Sequence, residues 1–131
     1  MTTMHQHQQE LARLEQRNRL LGEMYRHIGE HRAIGMAELY QIVFEEAWEN
    51  RINDTRKLRS LITELRHEGT PICSVSTANG GGYYLGQTVE ELNNYLRRRE
   101  HRALNILSLN AKLKRITLPD YMGQLSLNMR G

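Results

Sequence analysis

The sequence predicts a mainly α-helical chain with one small β-hairpin, an α+β fold in which three helices precede the hairpin and a long helix follows it. Three observations predict it. Apolar residues recur at three- and four-residue spacing through the first half of the chain. A glycine cluster, Asn79-Gly80-Gly81-Gly82, separates two short β-prone runs. Thr88 followed by Glu91 forms a capping box that opens a second long helical stretch.

The elements follow in order. Leu11, Leu14, Leu20, Leu21, Met24 and Ile28 place a first helix over about Gln8–His31, and Gly29 and Gly35 bracket a turn. A second helix runs from Met36 to about Trp48, with Leu39, Ile42, Val43 and Ala47 inward and Tyr40, Phe44 and Trp48 alongside. Its solvent face carries Glu38, Glu45, Glu46 and Glu49. Asn50–Asn53 reads as a turn, and Asn53 or Asp54 as the N-cap of a third helix. That helix turns Leu58, Leu61, Ile62 and Leu65 inward and Thr55, Arg56, Arg59, Ser60 and Thr63 outward, until Gly69 and Pro71 stop it. Pro71–Val75 and Tyr83–Leu85 are the strands, with the glycines as the turn between them. The fourth helix extends to about Ile116, Pro119 ends it, and Asp120–Gly131 shows no period. The organisation expected is a helical extension over 1–17, a domain over 18–87, a long helix over 88–118 and a tail over 119–131.

Composition narrows the function. At 131 residues with 39% hydrophobic side chains, there is room for one modest core and an appendage. No apolar run is long enough to span a bilayer, and Met1–Glu10 holds no apolar signal region, so a cytoplasmic protein away from membranes is expected. The single cysteine, Cys73, fits a reducing compartment and reads as a small buried hydrophobe. Asp occurs only at Asp54 and Asp120, and no nucleophile motif, metal set or nucleotide fingerprint is visible. Neither an enzyme nor a cofactor is expected; His27 and His31 share a helix face but lack a third ligand, so no metal is expected either. Fifteen of the 18 basic residues are Arg, which favours phosphate or carboxylate partners.

Helix, helix, helix, strand, turn, strand is the order of a winged helix-turn-helix. The run Thr55-Arg56-Lys57-Leu58-Arg59-Ser60-Leu61-Ile62-Thr63-Glu64-Leu65-Arg66-His67-Glu68-Gly69-Thr70-Pro71-Ile72, with Gly81-Gly82-Tyr83-Tyr84-Leu85 after it, resembles the DNA-binding domain of the biotin-repressor type. The resemblance covers about Leu20–Gly86 and departs at Leu61 and in the approach Trp48–Asn53. It implies a small, phage-like regulator of transcription or replication that binds double-stranded DNA. Segment 51–66 holds five basic and two acidic residues. In this reading Arg56 and Arg59 read bases, with Thr55, Ser60 and Thr63 assisting. Arg51, Asn53, Lys57 and the wing residues Ser76, Thr77 and Asn79 meet the backbone.

Two further stretches point to partners. From Arg97 to Arg115 the fourth helix holds seven basic residues against one acidic, with Leu92, Leu96, Arg99, Ala103, Ile106, Asn110 and Leu113 at coiled-coil-like spacing. It either pairs two copies as a homodimer or packs on the first helix. Its arginines either bind phosphates or pair with the acidic second helix. In the tail, Gln124-Leu125-Ser126-Leu127-Asn128-Met129 resembles the extended peptide that binds the bacterial sliding clamp. That implies Gln124, Leu125, Ser126, Leu127 and Met129 as clamp-binding residues. The alternative to a DNA-binding protein is therefore an interaction adaptor that recruits a replication partner through this tail.

Overall fold

The computed structural model describes residues 2–77 and 80–130, with side chains for 3–76 and 81–129. Most of these residues are helical, and a single two-stranded antiparallel hairpin accompanies the helices. The chain divides into two compact units, Met1–Leu92 and Asn93–Gly131.

In the first unit, α1 spans Thr2–Met24. It starts earlier and ends sooner than the spacing implies. Gln, Glu, Arg and Leu are good helix formers, so the polar start is helical although Leu11 and Leu14 remain exposed. Leu20 and Met24 are the residues of α1 that reach the core. Beyond Met24 the chain turns. His27 Nδ1 bonds the Arg32 carbonyl at 2.7 Å, and His27 Nε2 bonds Glu23 at 3.0 Å. Gly29 takes φ 95°, where a Cβ would meet the His31 ring at 2.8 Å. Ile28 thus leaves the helical stripe for a parallel bridge to Leu85.

α2 spans Met36–Phe44 and stops because Glu45 adopts the left-handed conformation at φ 59°. Trp48 lies outside it yet still packs on the core, its ring 6.3 Å from that of Tyr40. Periodicity alone cannot distinguish a helix end from an irregular segment that points an aromatic inward. α3 spans Arg51–His67, so the residues expected as a turn are its first turn. The cap is Asn50, whose Oδ1 accepts from the N–H groups of Ile52 and Asn53 at 3.0 and 3.1 Å. Asp54 reaches back and accepts from the N–H groups of Glu49 and Asn50 at 2.9 and 3.0 Å. The C-terminus ends as expected at Gly69, with φ 95°.

The hairpin is β1, Ile72–Thr77, and β2, Gly80–Leu85, in a register that pairs Ile72 with Leu85 and Thr77 with Gly80. Gly80–Gly82, expected in the turn, belong to β2. The reason is close approach on both edges of that strand. A Cβ on Gly81 would meet the Val75 carbonyl at 2.7 Å, and one on Gly82 would meet the Ile34 carbonyl at 2.8 Å. Ile34 pairs with Tyr83 in both directions at 2.9 and 2.8 Å, so the α1–α2 connection lies along β2. The core joins Leu20, Met24, Ile34, Leu39, Val43, Leu58, Ile62, Leu65 and Ile72. Arg13 and Glu64, and Arg17 and Glu68, tie α1 to α3 across its rim.

α4 spans Val89–Lys114 and is capped by Thr88, whose hydroxyl accepts from the Glu91 N–H at 3.1 Å. The second unit holds the rest of this helix and α5, Leu118–Arg130. Arg115 at φ 60° and the bond from Ile116 N–H to the Ala111 carbonyl at 3.1 Å close α4. Thr117 then caps α5 by accepting from the Asp120 N–H at 3.2 Å. The tail is therefore a helix rather than an extended segment. Pro119 does not break it because proline is tolerated in a first turn, where its missing N–H has no intrahelical partner. Asn110 donates to the Tyr121 hydroxyl at 3.3 Å and Lys114 to Gln124 at 3.2 Å, which docks α5 on the end of α4. No helix among the described residues is long and apolar enough to cross a membrane.

Candidate nucleic-acid interface

The solvent face of α3 is built by its buried one. Thr55, Leu58, Leu61, Ile62 and Leu65 point into the first unit. At 3.6 residues per turn this leaves Ile52, Asn53, Arg56, Arg59, Ser60, Thr63 and His67 on the opposite side, all exposed. No acidic residue stands among them. The two acids of α3 are both engaged inside the fold. Asp54 is turned back onto the cap, where the N–H groups of Asn50 and Glu49 hold its carboxyl below the usual carboxylate range. Glu64 is gripped by Arg13 at 2.6 Å. By contrast, no hydrogen bond or ion pair joins the side chains of Arg51, Arg56, Lys57 or Arg59 to another described residue.

Two grooves flank the ridge. On the hairpin side, an open groove of about 580 Å³ brings Arg51 and Arg59 together with the start of α2, Ser74 and Gly81. On the α1 side, one of about 420 Å³ holds Lys57 and Ser60 with Arg13 and Glu46. Asn53, Arg56 and Thr63 lie on the ridge between them.

The sequence-derived residues divide accordingly. Asn53, Arg56, Lys57, Arg59, Ser60 and Thr63 share the exposed side of α3, and Arg51 is exposed at its first residue, above the inward stripe. Thr55 does not: it is 1% exposed and its hydroxyl bonds the Arg51 carbonyl, because it stands three residues before Leu58 and seven before Ile62, on the inward face. Ser76 is exposed on β1. Thr77 is described only as the last residue of β1, and Asn79 lies outside the described residues. Gln124, Leu125, Ser126, Leu127 and Met129 lie in α5, with Leu125 half-buried and Gln124 bonded by Lys114, an arrangement unlike an extended peptide.

Sequence reasoning missed Ile52, which is 70% exposed on the ridge, and His67 at its far end. A signal was present: Ile52 falls off the 55-58-62-65 spacing. On α4, Arg98 and Arg99 lie 6.0 and 5.8 Å from the ring of buried Tyr95. Among the described residues no group of three His, Cys, Asp or Glu side chains forms a metal-binding cluster. No family profile, curated protein sequence or solved structure matches this chain.

Proposed function

We propose that this chain binds double-stranded DNA by laying the exposed face of α3 in the major groove, as a winged helix-turn-helix does. The single observation that carries the reading is electrostatic. Among the described residues, no hydrogen bond or ion pair engages the side chains of the four cations in the first half of α3, while both of its acids are occupied. A face so arranged is complementary to phosphate and to the acceptor edges of bases. The order of elements supports it: α1, the extended Ile34 along β2, α2, α3 and then the hairpin.

The roles follow from position. Asn53 and Arg56 sit in the first two turns of the helix, the part that approaches base edges most closely. Arg reads guanine bidentately and Asn reads adenine. Ile52 offers an apolar contact for a thymine methyl. Arg59, one turn on from Arg56, reads a further base, while Arg51 beside it in the hairpin-side groove meets one strand of the duplex and Lys57 meets the other. Ser76 and hairpin backbone add contacts without base information. The output of such a protein is regulation of transcription or replication through occupancy of its site.

Fluorescence anisotropy on a mixed-sequence duplex across a salt series tests this, with wild type beside the Arg56→Ala/Arg59→Ala double variant. Affinity should fall steeply with salt, and the double variant should bind more weakly with a shallower slope. Absence of binding at low salt by the folded protein, or a double variant that binds as wild type does, overturns the proposal in favour of a protein-interaction module.

A further inference from the structure

Charge is divided unequally between the two units. Residues 1–92 hold ten basic and thirteen acidic side chains, whereas residues 93–131 hold eight basic and two acidic. With histidine neutral, the first unit has a net charge of −3 and the second of +6. In the second unit, α5 docks on the side of α4 that carries Asn110, Lys114 and buried Ala111. On the opposite side Arg98, Arg102 and Lys112 fall within about 80° of one another, at about 100° of turn per residue. All three are exposed. The side chains of Arg102 and Lys112, like those of Arg99 and Arg115, form no hydrogen bond or ion pair with another described residue. Residues 103–111 carry no charge, so the cations stand in two groups. Arg102 and Lys112 are about 15 Å apart along the helix.

We propose that this side of α4 is a second nucleic-acid contact, which holds duplex DNA by its phosphates and without regard to sequence. Charge selects the partner. A net charge of +6 on two helices fits a ligand of high negative charge density, and duplex DNA carries one charge per about 1.7 Å of its axis. Six of the eight cations are Arg, whose guanidinium bonds phosphate bidentately. The spacing fits two strands: long side chains rooted about 15 Å apart reach phosphates on both lips of a major groove about 12 Å wide. A single strand would need exposed aromatic rings on which to stack its bases. The aromatics of this unit, Tyr95 and Tyr121, are buried and half-buried. A lipid surface would bury one side of the helix that is free of cations. Arg97, Arg98 and Arg99 are consecutive and project on three sides. The first unit of a second copy offers few free acids, since Glu23, Glu45, Asp54, Glu64, Glu68 and Glu91 are bonded within that unit. The α4 contact does not require α3 to enter a groove. Where α3 does read bases, the second unit supplies the long-range attraction that a first unit of negative net charge lacks; that corollary alone rests on the α3 reading.

Anisotropy of a labelled mixed-sequence duplex across a salt series tests the contact on the full chain, with wild type beside the triple variant Arg98→Gln/Arg102→Gln/Lys112→Gln. The three positions are exposed and Gln is a good helix former, so helical circular dichroism should be unchanged. Losing three phosphate contacts should lower the slope of log affinity against log salt by about 2.7, at about 0.9 per contact. The loss should be the same on every duplex sequence. The charge-preserving variant Arg98→Lys/Arg102→Lys/Lys112→Arg should keep the wild-type slope. A Gln variant with the wild-type slope overturns the proposal, as does an equal loss in the charge-preserving variant. So does tighter binding of wild type to a single strand of equal length or to phosphatidylserine–phosphatidylcholine vesicles, or salt-sensitive self-association without duplex binding. The Arg56→Ala/Arg59→Ala variant in the same series separates the two readings. If it alone loses affinity, the α4 contact fails; if the Gln variant alone does, the α3 reading fails.

Discussion

Replacing Asn50 and replacing Asn53 should have opposite consequences, and the contrast tests where α3 begins. The Asn50 side-chain oxygen accepts two backbone N–H groups at 3.0 and 3.1 Å, both ordinary lengths. Asn50→Ala leaves both to water. Loss of such a cap costs about 1 kcal/mol, within a range of about 0.5–2. The loss should stay near the middle of that range, because Asp54 continues to hold the N–H groups of Glu49 and residue 50. For a domain of the size of Met1–Leu92, this lowers the melting midpoint by about 4–8 °C. Asn53 is exposed and its side chain bonds no other described residue. Asn53→Ala should therefore alter stability by less than about 0.5 kcal/mol. Its effect should appear in duplex binding instead. Thermal melts and duplex titrations on both variants give the four values needed. If Asn53→Ala destabilises more than Asn50→Ala, α3 begins three residues later, and the placement of Ile52, Thr55 and Arg56 argued above is wrong.

Other consequences follow from the same geometry. Asp54 has its carboxyl lowered by the N–H groups of Asn50 and Glu49, so its ionised form favours the folded state. That contribution is present above the unfolded value of about 3.9 and is lost as pH falls through the lower folded value, so Asp54→Asn should flatten the acid limb of a melting-midpoint profile below about pH 4; parallel limbs would refute it. Gly82→Ala drives a Cβ to 2.8 Å from the Ile34 carbonyl and should destabilise by about 1–3 kcal/mol, whereas Gly35→Ala, 3.8 Å from its nearest neighbour, should melt within a few degrees of wild type. In selections from random duplexes, Arg59→Ala should weaken binding by about 1–3 kcal/mol and relax one base position. Lys57→Ala should weaken all sequences alike and reduce the salt slope by about one, and a sequence-dependent loss would argue against its phosphate role.

Much of the architecture was legible in the residue pattern. The inward set Leu58, Leu61, Ile62 and Leu65 identifies α3 because helical period is local and these positions share one face. Gly69 marks its end because a positive φ there excludes most side chains. Thr88 and Glu91 mark the start of α4 because a cap bonds within its own first turn. The cations of α3 were likewise visible, since exposure follows from the inward set. Boundaries set by a few irregular dihedrals were not. Glu45 ends α2 and Arg115 ends α4 in left-handed conformations that neither residue type announces.

The linear sequence therefore determined which stretches coil, which residues face inward along each of them, and where positive charge concentrates, because all three depend on neighbours within a turn or two. Only the tertiary structure decided what depends on residues distant in the chain. Glycines 80–82 are a strand rather than a turn because Ile34 and Val75 approach β2 from its two edges. The tail is a helix because Asn110 and Lys114 receive it. Glu64 no longer opposes the cations of α3 because Arg13, on another helix, has taken it. Each of these is a contact across many residues of chain, and its energy is absent from any local pattern.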